Sequence, residues 1–170
     1  GKSTHVSTPH LGVDALYIAS QIVVAVQGLV TRRTSPTEPV IIGIGKLNAG
    51  TTYNAVAAFA EMEGTTRTIS QESRDRVRSQ VSETAQSIAA LYGGTAEIEW
   101  TDFAAALVND PQVCEEAARV VDELLGAGHV VTDRELLLSG DNFAEFELYK
   151  PGAYAYLGTG NPDLPHTMIT

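Results

Sequence analysis

The sequence has 170 residues, with 11 Lys+Arg against 21 Asp+Glu and a formal net charge of −10. That length holds one full domain or two short ones, and 44% hydrophobic with 19% charged residues is too apolar for a disordered chain. The acidic balance excludes a nucleic-acid backbone or an anionic membrane surface as the main partner, because both demand a basic face.

Cys114 is the single cysteine, so no internal disulfide can form. The longest uncharged run, 15–31, falls short of the roughly 20 apolar residues of a membrane span and is interrupted by Gln21 and Gln27. With no basic leader and no cleavage pattern in sight, the expected location is cytoplasmic.

Residues 11–33 read as a long helix, with Leu11, Ala15, Ile18, Ala19, Ile22, Val23, Val26 and Val30 at three-to-four spacing. Its lack of charge predicts burial on two sides, between a sheet and a partner subunit. Residues 40–44 read as a strand, Asn48-Ala49-Gly50 as a turn, and 55–69 as a second extended stretch. Ser70 caps a second helix with Val77, Val81, Ala85, Ile88 and Leu91 on its apolar side, and Gly93-Gly94 stops it. Residues 96–100 alternate as a third strand. Helix, strand, strand, helix, strand is a βαββαβ ferredoxin-like motif lacking its first strand, so the chain is expected to open inside a domain.

After residue 102 the character changes. Asn109-Asp110-Pro111 starts a helix to about Leu125, 129–138 reads as extended, a short helix is capped near Ser139-Gly140-Asp141, and 153–157 reads as a strand. This second α/β unit is too small to complete a core alone.

The histidines are His5, His10, His129 and His166, and none stands in a zinc-binding spacing. Glu115-Glu116 fits a solvated helix face, Cys114 a small apolar side chain without a paired histidine. Gly43-x-Gly45 lacks the third glycine and the following helix of a dinucleotide loop. His5 lies among hydroxyls just before a helix. It could cap the loop or polarise a carbonyl, and the residues alone leave both open.

Taken together, Gly1-Lys2-x-x-His5-x-x-x-Pro9-His10-x-Gly12-x-Asp14-Ala15 resembles the lid-domain opening of the zinc amidohydrolase and aminoacylase family of metallopeptidases. Gly50-Thr51-x-x-Asn54, Gly64-Thr65-Thr66-Arg67-Thr68, Val108-Asn109-Asp110-Pro111, Gly140-Asp141-Asn142-Phe143-Ala144, Pro151-Gly152-Ala153-Tyr154 and His166 follow in that family's order.

The resemblance implies an α/β chain: a ferredoxin-like α+β lid at 1–101 that forms a homodimer, then at 102–170 the C-terminal part of a zinc-peptidase catalytic domain. It implies hydrolysis of the amide bond of N-acyl amino acids or small peptides, with two Zn, Mn or Co ions in the complete enzyme. His5 matches a lid histidine that stabilises the tetrahedral oxyanion in the neighbouring subunit. Asn54 and Arg67 match positions that hold the substrate's carbonyl or carboxylate, and His166 matches the last metal ligand. The other ligands and the general base lie upstream of the lid in that family. This stretch alone is therefore expected to bind no metal and to be inactive. The alternative is a non-catalytic dimerisation or small-molecule-binding module.

Departures from the family pattern are Asp141-Asn142 for Glu-Asp, Ala55-Val56-Ala57 after Asn54, and Thr167 after His166.

Overall fold

A computed structural model describes residues 1–158. The expected metal ligand His166 lies outside the described residues. Two compact units emerge, one of 1–107 with Glu135–Asn142, the other of Val108–Arg134 with the described residues from Phe143.

In the first unit, helix α1 (Ala15–Arg33) begins four residues later than its periodicity predicts. Pro9–Leu11 forms a 3-10 turn, and the Asp14 carboxylate accepts the amides of Leu16 and Tyr17 at 3.0 and 3.1 Å. A side chain that satisfies these free N–H groups fixes where a helix starts. Ile18, Ile22, Val26 and Leu29 make one buried stripe. Within one copy the other face is open, with Val24 71% exposed. By length and composition alone α1 could cross a membrane; here its stripe packs on its neighbours in the core.

Strands β1 (Val40–Ala49) and β2 (Ala60–Thr68) pair antiparallel, from Val40 opposite Thr68 to Ala49 opposite Ala60. Gly45 is extra: Ile44 faces Gly64 and Lys46 faces Glu63, which makes a β-bulge. Gly64 has no room for a side chain, since a Cβ there would sit 2.5 Å from the Gly43 carbonyl oxygen. Helix α2 (Gln71–Leu91) starts where Ser70 Oγ accepts the Ser73 amide at 3.2 Å. Val77, Ala85 and Ala89 complete a core with Val40, Ile42 and the α1 stripe. Burying these side chains against one sheet face is the main stabilising term of the unit.

The predicted strand at 96–100 is not a strand. Ala96 and Ile98 pack against the core, and Trp100 Nε1 donates to Ser82 Oγ at 3.2 Å, but no ladder flanks them among the described residues. Alternation supplies a buried face; a strand also needs a neighbour's N–H and C=O groups. Arg78 holds this segment to α2, its guanidinium 5.3 Å from the Trp100 ring and 2.8 Å from the Asp102 carboxylate.

In the second unit, helix α3 (Pro111–Leu125) is capped by Asp110, whose carboxylate accepts the amides of Gln112 and Val113 at 2.9 and 3.1 Å. Helix α4 (Phe143–Glu147) buries Ala144. The stretches 129–138 and 153–157, predicted extended, carry no strand. Side chains hold 153–157 instead. Asn109 pairs with the Tyr154 backbone, Phe143 packs on the Tyr154 ring at 5.8 Å, and Arg134 lies 3.8 Å over Tyr156. No residue of α3 is buried, and Leu124 and Leu125 are exposed.

Candidate functional site

The N-terminal segment is laid against the loop that follows β1. Lys2 and Val13 exchange backbone hydrogen bonds at 2.9 Å, Val56 N–H donates to the Thr4 carbonyl at 2.8 Å, and Val6 N–H donates to the Asn54 carbonyl at 3.2 Å. His5 bridges Ala55 across this seam. Two residues 49 positions apart, His5 and Asn54, are thereby held side by side through their backbones. Val56 and Ala57 anchor the loop by burying their side chains, and Ala57 accepts the first amide of α1, Ala15 N–H, at 2.9 Å.

The His5 ring is exposed, and its Nδ1 is occupied locally. Ser7 N–H donates to Nδ1 at 3.2 Å, and Ser7 Oγ lies 2.7 Å from the same nitrogen. A backbone amide can only donate, so this network assigns Nδ1 as acceptor and puts the proton of the neutral ring on Nε2. The outer nitrogen is then a hydrogen-bond donor. Asn54 is prepared in a similar way: Thr52 Oγ1 donates to its Oδ1 at 3.2 Å, which leaves the Nδ2 amide protons to donate elsewhere. Sequence reasoning named His5 and Asn54 but missed Ser7 and Thr52. The signal was present, since a hydroxyl two residues from a polar side chain is the usual spacing of a local turn bond.

Arg67 is elsewhere. It sits near the end of β2, opposite Ile41, and from Ala60 to Arg67 the strand runs roughly 24 Å. The loop that carries Asn54 joins the sheet at the other end of that strand, where Ala49 faces Ala60. The half-buried Arg67 guanidinium approaches Gly140 of the loop 139–142, where Phe103 also packs.

Among the described residues no group of three His, Cys, Asp or Glu side chains could hold a metal ion. His10 belongs to the 3-10 turn, and His129 Nδ1 bonds the Gly126 carbonyl at 2.9 Å.

Residues 1–93 match the peptidase dimerisation domain of the M20 family. The chain is 32% identical over 162 residues to thermostable carboxypeptidase 1 of Saccharolobus solfataricus, covering 95% of this chain and 40% of that protein. It is equally 32% identical over 171 residues to an N-acetyl-L-cysteine deacetylase of Bacillus subtilis, covering all of this chain and 40% of the relative. Among solved structures, a dinuclear metal-binding M20 peptidase of Bacillus subtilis matches with a TM-score of 0.69 at 29% identity, over 83% of this chain and 35% of that one. The chain thus spans about 40% of the length of the curated relatives it matches. On the strength of the domain match and of the fold, this chain belongs to the M20 peptidase family.

Proposed function

We propose that this chain supplies the dimerising lid, about 1–101, and the C-terminal catalytic-domain segment, about 102–170, of a metal-dependent amidohydrolase. Its substrates are N-acyl amino acids or small peptides. The observation that carries this reading is the hydrogen bonding of His5, which leaves Nε2–H as an outward donor on an exposed loop. Such a donor suits the oxygen of a scissile amide, where negative charge develops in the transition state. Asn54, with its amide protons available, holds the same carbonyl or the substrate carboxylate, and Arg67 holds a carboxylate. His166 contributes one ligand to a metal centre. The described residues do not build that centre, so no step through the metal is assigned to them.

Self-association fits the open faces. Val24 on the outer side of α1 and, on the opposite side of the unit, Ile41 on the outer face of β1 are large, apolar and exposed, and covering either one with a second copy removes apolar surface from water.

The test uses a longer polypeptide carrying this chain in its natural reading frame. Release of acetate from N-acetyl-L-cysteine in the presence of Zn, Mn or Co, lost on His5→Ala, is the expected result. No release from any of a panel of N-acyl amino acids would overturn the reading.

A further inference from the structure

Arg67 and Gly140 stand 73 positions apart, yet Gly140 shapes the space that Arg67 occupies. A Cβ built on Gly140 would fall 2.6 Å from Arg67 Nη1 and 3.5 Å from Phe103 Cδ1. The first distance is too short for any methyl group, whereas the second is ordinary contact. Gly140 does not have a positive φ, so its backbone would accept alanine. The bare α-carbon is needed for the guanidinium rather than for the turn.

Arg67 is also unlike the arginines of α2. Arg74 and Arg78 pair with Asp102, and Arg76 with Glu38. The Arg67 guanidinium has no carboxylate partner among the described residues, although the residue is half-buried. A partly desolvated cation with no carboxylate partner among the described residues is suited to an external one, and the planar guanidinium matches a carboxylate with two parallel hydrogen bonds.

We propose that Gly140 is a positioning residue for Arg67, its missing side chain letting the guanidinium lie against the loop 139–142 and present itself to a ligand carboxylate. This rests on the reading of Arg67 given above as a carboxylate-binding group. Gly140 itself touches no ligand. The ligand class is an N-acylated α-amino acid with a free carboxylate, and a neutral carboxamide is discriminated against.

The experiment uses the whole 170-residue chain, N-acetyl-L-alanine as probe and N-acetyl-L-alaninamide as its uncharged counterpart. The Arg67 Nε–Hε resonance is followed by NMR and assigned with Arg67→Ala. The acid is expected to shift that resonance, and the amide is not. Gly140→Ala should move the resonance in the absence of ligand and weaken acid binding about tenfold, the size of losing one hydrogen bond to a charged group. Its melting temperature should stay within about 2 °C of wild type, because the only atom displaced is the end of a flexible side chain.

If Arg67→Ala abolishes acid binding while Gly140→Ala leaves both binding and the resonance unchanged, the positioning role is overturned and Arg67 keeps its own. Should Arg67→Ala bind the acid as wild type does, or wild type show no acid-dependent shift, the carboxylate reading fails and the positioning claim with it. A Gly140→Ala chain that unfolds would make Gly140 a structural residue and overturn the proposal as well.

Discussion

Asn109 holds Tyr154 by both edges of one side-chain amide: Nδ2 donates to the Tyr154 carbonyl at 3.1 Å, and Oδ1 accepts the Tyr154 N–H at 2.9 Å. The neighbouring Asp110 N–H donates to the Gly152 carbonyl at 2.8 Å while its carboxylate caps α3. An Asn-Asp pair therefore does the work of a short ladder strand in a segment that has none.

Asn109→Ala removes both bonds at once. We expect the Tyr154 amide to lose hydrogen-exchange protection, together with about 1–2 kcal/mol of local stability, since each such bond is worth about 0.5–1.5 kcal/mol net. Unchanged exchange at Tyr154 would show that Phe143 and Arg134 hold the segment without it.

Two valines of α1, two positions apart, are expected to behave oppositely. Val26 is fully buried, so Val26→Ala should cost about 2–3 kcal/mol in urea unfolding, from lost transfer energy plus a cavity. Val24→Ala should stay within about 0.5 kcal/mol. Val24→Asp instead probes association: sedimentation should show a dimer shifted toward monomer at tens of micromolar. A wild-type chain that sediments as a monomer there would remove the self-association surface.

Glu38 gives a pH dependence with a definite sign. A hydrogen bond from Ser73, and then the Arg76 guanidinium, hold its carboxyl below the ordinary value of 4.5. A depressed folded pKa means that the contribution is complete above about 4.5 and disappears as pH falls through the lowered folded value. The melting-temperature difference between wild type and Glu38→Gln should be largest near neutrality and shrink below about pH 4.5. A difference independent of pH would assign the loss to packing alone.

His5→Ala, in the longer polypeptide, should lower kcat by roughly 10²–10³ with little change in KM, the usual cost of removing one oxyanion donor. If His5 serves the neighbouring subunit, mixing this variant with His166→Ala should restore part of the activity. A mixture as inactive as its parents, after demonstrated subunit exchange, would confine His5 to its own loop.

By the resemblance this sequence carries one metal ligand, His166, with the others upstream of the lid, so the 170 residues alone are expected to carry no stoichiometric zinc. Two tightly bound zinc ions per chain by elemental analysis would contradict the assignment of the remaining ligands to a longer protein.

Much of the fold was legible where local chemistry marks it. Ser70 and Asp110 act as the N-caps read from the sequence, whereas at α1 the apolar periodicity ran back to Leu11 and hid the cap at Asp14. Less legible was the far half of β1, because 45–49 lie mostly exposed and show no alternation of burial. The segments 96–100, 129–138 and 153–157 look like strands and are not, because pairing depends on a partner that local pattern does not reveal. The site divides similarly. His5 and Asn54 could be named by motif, but their adjacency and the gap to Arg67 are tertiary facts. Gly140 opens the motif Gly140-Asp141-Asn142-Phe143-Ala144, but nothing local ties it to Arg67.

The bulge at Gly45 has a consequence for how such a lid can vary. Before it the even residues Val40, Ile42 and Ile44 face the core; after it the odd residue Leu47 lies opposite Met62, which packs on that same core. One unpaired glycine thus reverses the parity of the strand midway. Changing the length there by one residue would turn over the outer half of the hairpin, together with the aim of the loop that bears Asn54, while Val40 and Ile42 keep their places. Anchoring and aiming are separate degrees of freedom in this hairpin, and a single-residue insertion or deletion acts on the second alone.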